Sequence, residues 1–103
     1  MTYAHVVDVA APVEMYDALH AEIVRQSGGI VDGLLAHVGH PSPTGFRVIE
    51  VWQSRDHFER YNDEIVLPTI RRMAAGRPGP PPEQTIEHLD VHGLVLDGGK
   101  VVV

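Results

Sequence analysis

The sequence predicts one α+β domain, in which a four-stranded antiparallel sheet carries two helices on one of its faces. The 103 residues are enough for one domain with one modest core. β-branched segments and segments with helical periodicity alternate in the order strand, helix, strand, strand, helix, strand. Clusters of Pro and Gly, at residues 41–45 and 76–82, separate the second strand from the third and the second helix from the fourth strand.

The composition narrows the class of protein. It is 44% hydrophobic and 21% charged, which is typical of a globular protein. No apolar run approaches the roughly 20 residues that span a bilayer, and the N-terminus does not resemble a secretory signal, so a cytoplasmic protein is expected. The absence of cysteine excludes disulfides, thiolate metal sites and a cysteine nucleophile. The net charge of −6, with no basic patch beyond Arg71-Arg72, disfavours nucleic acid and anionic membrane as partners.

The first half of the chain begins with a strand over residues 3–9, which are rich in β-branched side chains. A helix follows from Pro12, because proline fits the first helical position, where its missing N–H costs nothing. Apolar residues recur there at helical spacing. The helix is expected to end at residues 27–29, Ser-Gly-Gly, since glycine accepts the left-handed conformation of a helix cap.

A hairpin is predicted next, with strands over residues 33–40 and 46–52. A loop over residues 41–44 pairs His37 with Val48 and Leu35 with Glu50. One face of the hairpin is then uniformly apolar and the other is mixed, and a slip of one residue would exchange the cross-strand partners. The apolar face carries Leu34, Ala36, Val38, Ile49 and Val51. The mixed face carries Leu35, His37, Phe46, Val48, Glu50 and Trp52.

The second helix is predicted to begin after Ser54, a good N-cap residue that is followed by Asp56 in the first turn. Residues at helical spacing continue as far as Met73. Pro68 interrupts this stretch, so a kink or a break into two helices is expected.

The C-terminal part is predicted to contain an exposed Pro/Gly loop and a fourth strand over residues 85–91. Residues 94–103 either extend that strand or fold back as a hairpin around Asp97-Gly98-Gly99.

The order of elements is the split βαβ, ferredoxin-like arrangement, which takes residues 1–103 as a single domain. Both helices would cover one face of the sheet and leave the other open. The mixed face of the hairpin is expected to be the open one. That face is too apolar to face water, so a homodimer with stacked sheets is expected, and the apolar C-terminal segment could reach across to the partner. Its apolar side chains are Trp52, Phe46, Leu35 and Val48.

Residues 50–62, Glu-Val-Trp-Gln-Ser-Arg-Asp-His-Phe-Glu-Arg-Tyr-Asn, resemble the strand-to-helix junction of the antibiotic biosynthesis monooxygenase (ABM-like) family. That family belongs to the dimeric α+β barrel superfamily. The shared pattern is an apolar strand ending in Trp, a Ser or similar cap, and a helix carrying Phe and a second aromatic residue. The element order fits over almost the whole chain. The pattern is typical of the fold and the dimer more than of one reaction.

The resemblance implies a pocket between the sheet and the helices for a small aromatic or polyketide-like substrate. Some members oxidise such molecules with dioxygen and no metal or flavin, so a cofactor-independent monooxygenase, or a related isomerase or cyclase with no cofactor, is expected. Haem degradation is disfavoured. The haem-degrading branch uses an Asn on the first strand and a Trp and a His on the second helix, where this chain has His5, Tyr61 and, near the ligand position, Arg71.

His37 and Glu50 are the first candidate catalytic residues, because they would share the mixed face on neighbouring strands near Trp52. Burial raises the pKa of a carboxyl group, and a nearby imidazole can share its proton. Such a pair could take a proton from an acidic phenol or enol, leaving an anion that reacts with dioxygen. The alternative is a structural hydrogen bond in the dimer interface. His5 is the third catalytic candidate, either as a pocket base or as a partly exposed histidine.

Five further side chains are predicted to bind substrate: Trp52, Phe58, Tyr61, Arg71 and His88. Trp52 would be a stacking wall for a flat ligand or part of the dimer packing. Tyr61 would point its hydroxyl into the pocket or pack with Phe58 as core. Arg71 would bind a substrate carboxylate or interact with the C-terminal end of its helix.

No metal site is predicted, because no pair among the seven histidines has the spacing of a zinc signature. A metal would need histidines from different strands, for example His5, His37 and His88.

A second function class stays open beside the enzyme, namely a non-catalytic dimeric domain that binds a small molecule or serves in a stress response. An enzyme should have a closed pocket with convergent polar groups. In a purely structural dimer, the protein's own side chains should fill that pocket.

Overall fold

The four long strands form one antiparallel sheet in the order β2-β3-β1-β4. The structure, a computed structural model, describes residues 2–76, 79–96 and 98–101. The strands of the sheet are β1 (Tyr3–Val9), β2 (Leu34–Ser42), β3 (Gly45–Trp52) and β4 (Gln84–Leu89). The helices are α1 (Val13–Ser27), α2 (Arg55–Tyr61) and α3 (Leu67–Ala74), with a π-helical turn (Asn62–Val66) between the last two. The predicted ferredoxin-like α+β fold is confirmed.

The first helix begins one residue later than predicted. Pro12 is its N-cap, with extended backbone at φ −61° and ψ 149°, and its carbonyl accepts a hydrogen bond from the N–H of Met15. At the other end, Gly28 has φ 68° and its N–H donates to the carbonyl of Val24. The left-handed cap predicted from the Ser-Gly-Gly sequence is therefore present.

The hairpin turn is tighter than expected, because the strands continue until Ser42 pairs with Gly45. His37 consequently pairs with Glu50 and not with Val48. A shift of two residues moves the pairs along the strands and keeps His37 and Glu50 on their predicted face. Leu34, predicted on the apolar face, instead lies opposite Trp52 of the mixed face.

Leu35, which was predicted to pair with Glu50, lies instead at a β-bulge between Leu34 and Ala36. A bulge adds a residue to one strand and increases the local twist.

The mixed face of the hairpin lies under the helices, so the prediction that it is the open face was wrong. Trp52 is completely buried there and Phe46 is 4% exposed. The rings of Phe58 and Tyr61 pack on Trp52 at centroid distances of 5.8 and 5.1 Å. Strand alternation says which residues share a face, but only the aromatic side chains of the helices decide which face they cover.

The uncovered face is the apolar one. Val38 is 53% exposed there, and Leu89 of the edge strand β4 is 37% exposed. If a second copy covers the open sheet face, as expected from the sequence, it covers this apolar face.

Pro68 is accommodated without ending the helix. The π-helical turn precedes it, and the N–H of Leu67 donates to the carbonyl of Asn62, five residues earlier. A proline lacks the N–H that a regular α-helix would need at this point, and a wider turn is one way to absorb that loss. The predicted interruption is real, but its form is a π turn.

The C-terminal segment folds back as a hairpin, the second of the two predicted alternatives. Its strands are β5 (Val95–Leu96) and β6 (Lys100–Val101). Asp97, part of the predicted turn, lies outside the described residues. None of the helices in the described ranges has the length and apolar character required to cross a bilayer.

Candidate functional site

Glu50 is the centre of a row of polar side chains that crosses the sheet under the helices. On β3 it lies opposite His37 of β2 and opposite His5 of β1, and His5 in turn lies opposite His88 of β4. Directly opposite residues on one face have adjacent side chains. The antiparallel register therefore brings one residue of each strand into a single line.

Three donors converge on the Glu50 carboxylate. Its Oε1 is 2.9 Å from Nε2 of His5 and accepts from Nε1 of Trp52 at 3.3 Å, while its Oε2 is 2.7 Å from Nδ1 of His37. Glu50 is only 6% exposed and His5 only 1%. A buried carboxylate is stable when its lone pairs are used in this way.

These hydrogen bonds decide the charge of Glu50. Burial raises the pKa of Glu50, but the hydrogen bonds from His37 and His5 outweigh it and hold the pKa at about 2. The sequence argument expected the opposite sign, because it considered burial without counting donors. Glu50 is therefore an anion that orients imidazoles, and is not itself the base.

His37 continues the line towards α1. Its Nε2 is 2.7 Å from the hydroxyl of Tyr16, and its side chain is 24% exposed. Tyr16 lies close to β2 because residue 39 is glycine, where an added Cβ would come within 2.2 Å of the Tyr16 ring. The rings of Tyr16 and His37 are nearly parallel, with centroids 5.9 Å apart, and exposed His20 stacks on both.

His5 continues the line towards the other edge of the sheet. Its Nδ1 is 3.2 Å from the hydroxyl of Tyr3, which is 2.5 Å from Nδ1 of exposed His88. Tyr3 is 7% exposed, and burial raises its pKa. Burial likewise raises the pKa of Tyr16. Both phenols are thus protonated donors in the neutral range.

The predicted aromatic wall is part of the core. Phe58 contacts Trp52 and also lies edge-on to His5 at 4.3 Å between ring centroids. Burial raises the pKa of Tyr61 well above its usual range. These rings fill the space between the sheet and α2 next to Glu50.

An open groove lies at the β1–β4 edge of the sheet and has a volume of about 530 Å³. Tyr3, Arg55 and His88 are among the residues that line it. His37, Glu50 and Tyr61 are not among the residues that line this groove.

Arg71 and His88 are the two predicted site residues that are exposed. Arg71 is exposed on α3 and is not brought to the Glu50 cluster. His88 is exposed, but it joins the cluster through Tyr3. The ring nitrogens of His5, His37 and His88 point to Glu50, Tyr3 and Tyr16 and do not converge on one point where a metal ion would sit.

Sequence reasoning missed Tyr3, Tyr16 and His20. Tyr16 lies at helical spacing with the apolar residues of α1, and its hydroxyl reaches His37 of β2 from another layer. For Tyr3 a signal existed, because Tyr3 and His5 are two residues apart on one strand and therefore share a face.

The described fold is shared with solved structures that are named as a cofactor-independent oxygenase or as antibiotic biosynthesis monooxygenases. SnoaB, a cofactor-independent oxygenase from Streptomyces nogalater, is 14% identical with a TM-score of 0.58, over 93% of this chain and 96% of that one. A proposed antibiotic biosynthesis monooxygenase from Caulobacter crescentus is 15% identical with a TM-score of 0.64, over 87% and 89% of the two chains.

A third structure, named antibiotic biosynthesis monooxygenase, is 18% identical with a TM-score of 0.59, over 88% of this chain and 98% of that chain. No protein-family model matches the sequence, and no curated protein is significantly similar to it. At these identities the likeness confirms the predicted fold and leaves the reaction to be argued from the site.

Proposed function

We propose that the chain is a monooxygenase-like enzyme in which Nε2 of His37 takes a proton from a small phenol or enol of the aromatic or polyketide class. One observation carries the proposal. The phenol of Tyr16 already lies 2.7 Å from this nitrogen, while Glu50 holds the other ring nitrogen at 2.7 Å. A substrate phenol that displaced Tyr16 would meet an oriented imidazole backed by a buried anion, which is the arrangement of a general base.

Glu50 supplies two things to this base. As an acceptor at Nδ1 it fixes the tautomer of His37 that leaves Nε2 free to receive a proton. As a buried negative charge, it stabilises the imidazolium that forms when the substrate gives up its proton. Both effects require the Glu50 pKa to stay low, and the two histidine hydrogen bonds hold it at about 2.

The deprotonated substrate is the reductant in the next step. Dioxygen accepts four electrons from the phenolate, and one of its oxygen atoms bonds to the substrate carbon while the other leaves as water. A phenol with a free ring position is thereby converted to a quinone, and atoms and electrons balance without an external reductant. The description of SnoaB as a cofactor-independent oxygenase supports this class of reaction.

The test is oxygen uptake by the purified protein with a panel of dihydroxynaphthalenes as probe phenols. We expect His37→Ala and Glu50→Gln to abolish uptake without changing the oligomeric state, and His92→Ala, an exposed control, to leave it unchanged. Tyr16→Phe should retain or raise uptake, because it removes the hydroxyl that occupies His37. Undiminished uptake in both His37→Ala and Glu50→Gln would exclude the proposed base.

The second candidate is a non-catalytic binding or structural domain, and the packing of Trp52 favours it. Trp52 is completely buried against Phe58 and Tyr61, as expected if the protein fills its own pocket. Calorimetric binding of the same naphthols without oxygen uptake would favour this candidate over the enzyme.

We also propose that the functional unit is a homodimer in which a second copy covers the open face of the sheet. The exposed side chain of Val38 and its apolar neighbours Ile49 and Val51 on this face support the proposal. The C-terminal hairpin β5–β6 could add to the same interface.

A further inference from the structure

One carboxylate serves two symmetrical arms. In the first arm Tyr16 contacts His37, and His37 contacts Glu50. In the second arm Tyr3 contacts His5, and His5 contacts the other oxygen of Glu50. In the second arm the chain of hydrogen bonds continues from Tyr3 to exposed His88, which connects Tyr3 to solvent.

We propose that the His88–Tyr3–His5 arm is a control arm for the base, so that a proton held by His5 takes the Glu50 charge away from His37 and switches the base off. The inference rests on the proposed role of His37 as base. The sharing of one proton between His5 and His37 can be observed whether or not the protein turns over a substrate.

With Glu50 ionised and His5 and His37 both neutral, one arrangement of hydrogens satisfies the five links of the two arms. Tyr16 donates to Nε2 of His37, whose Nδ1–H donates to Oε2 of Glu50. Tyr3 donates to Nδ1 of His5, whose Nε2–H donates to Oε1. His88 then donates its Nδ1–H to the oxygen of Tyr3. Both histidines are neutral in this arrangement, and both arms point their donors at Glu50.

A proton can enter the second arm without breaking any link. Protonated His88 passes its Nδ1 hydrogen to the Tyr3 oxygen, and Tyr3 passes its own hydrogen to Nδ1 of His5. His5 is then an imidazolium that faces the Glu50 anion, while His88 is neutral and accepts from Tyr3. Nothing is oxidised or reduced, and one proton has moved from the edge of the sheet to the centre.

A second proton has no comparable place. With His5 charged, the buried pair of His5 and Glu50 is neutral. Adding a proton to His37, which is 24% exposed, would leave a net positive charge beside His5 and Glu50, which are almost fully buried. Burial of an unbalanced charge is strongly unfavourable, and interacting sites of this kind titrate as a unit.

Other charged groups surround the arms without replacing Glu50. Arg55 of α2 lies 5.6 Å from the centre of the Tyr3 ring, and the Glu59 carboxylate on the same helix also acts on Tyr3. Tyr61 of α2 and His20 of α1 also pack on the row, and the Asp17 carboxylate of α1 acts on Tyr16. Tyr61 stays protonated because burial raises its pKa. The β1–β4 groove reaches Tyr3 and His88, so solvent protons have access to this end.

The test follows the ring nitrogens of assigned histidines by NMR across about pH 5 to 8, the range in which histidine normally changes charge. The protein is labelled with nitrogen-15 in its histidines and is observed as the full chain. In the wild type, we expect the signals of His5 and His37 to change in the same step. In Tyr3→Phe, protonated His5 has no acceptor for its Nδ1–H. The pH-dependent change of the His5 signals should therefore be lost, and that of the His37 signals should become larger.

Two further variants keep the test decisive. His88→Ala, at an exposed position, should have the same effect as Tyr3→Phe: a smaller pH-dependent change of the His5 signals and a larger one of the His37 signals. His92→Gln, on an exposed loop outside the row, should alter neither signal. Separate steps for His5 and His37, or a His37 response that is identical in the wild type, Tyr3→Phe and His88→Ala, would overturn the control arm.

The outcome also separates this inference from the proposed enzyme. A shared step in a protein that consumes no oxygen with any probe phenol would support the control arm and remove the monooxygenase. Oxygen uptake with independent histidine steps would overturn the control arm and leave the monooxygenase standing.

Discussion

Glu50 is the residue on which the site depends, because three N–H groups are directed at one buried carboxylate. Its pKa of about 2 is below the ordinary 4.5 of a glutamate. A carboxyl group whose pKa is lowered on folding stabilises the folded state above the unfolded pKa, and this contribution is lost as the pH falls through the folded pKa.

The free energy of unfolding should therefore fall as the pH drops from about 4.5 to about 2. The difference in pKa corresponds to a loss of roughly 3 kcal/mol. In Glu50→Gln this part of the pH dependence should be absent, and stability at neutral pH should be lower because the amide cannot accept from both histidines. Chemical denaturation at several pH values measures both effects. Parallel curves for the two proteins would contradict the assigned charge of Glu50.

Gly39 is the residue that allows Tyr16 to reach His37. A Cβ at this position would lie 2.2 Å from Cζ of the Tyr16 ring. Gly39→Ala should therefore destabilise the protein by about 1–3 kcal/mol and displace Tyr16 from His37. In a Tyr16→Ala background the same change should cost much less, and a double-mutant cycle of unfolding free energies detects the difference. Equal costs in the two backgrounds would show that the ring is not the obstacle.

At the residue scale the sequence predicted that His37 and Glu50 share a face, because alternation along the strands fixes this for any even shift of register. It could not predict their roles. Whether a buried carboxyl group gains or loses its proton depends on how many donors it meets, and the donors His5 and Trp52 are fixed only by the final register. Tyr16 joins from another layer, and no spacing within one element reveals that contact.

At the scale of elements, α2 is anchored by its N-cap. Ser54 has extended backbone, and its Oγ accepts from the backbone N–H of His57 at 3.2 Å. Ser54→Ala should reduce the free energy of unfolding by about 1 kcal/mol, while Ser54→Asp, which keeps an acceptor, should reduce it less. Denaturant titration distinguishes the two variants. A smaller loss in the alanine variant than in the aspartate variant would contradict this role of the cap.

The elements also show where local signals stop. The strand β1 and the cap of α1 were predictable because β-branched residues and Gly28 act locally. The π turn was not predictable, because Pro68 indicates only that a regular helix cannot continue unchanged. Which solution is adopted depends on how the helix on either side packs against the sheet.

At the scale of the whole molecule, the choice of sheet face was the main error of the sequence prediction. Trp52 and Phe46 on the mixed face made it look like an interface, whereas the aromatic residues of the helices cover it. Both faces of the sheet carry large apolar side chains, so composition alone does not say which of them the helices cover. Only their fit to the helices decides between them.

The proposed homodimer is tested on the face that remains open. Val38→Lys should shift the protein from about twice its 11.3 kDa monomer mass to the monomer, because it places a charge in the apolar interface. Val24→Lys is the matched control, since Val24 is 43% exposed on α1, on the other side of the sheet. Light scattering measures the molecular mass of both variants. A monomeric wild type, or dissociation by both variants, would contradict the proposed interface.

The most direct test of the central claim is neutron diffraction from crystals of the perdeuterated protein at neutral pH. The account predicts no deuterium on either oxygen of Glu50, deuterium on Nε2 of His5 and on Nδ1 of His37, and the Tyr16 hydroxyl directed at Nε2 of His37. Deuterium on the Glu50 carboxyl group, or a His37 ring that donates to Tyr16 from Nε2 and leaves Nδ1 bare, would contradict it.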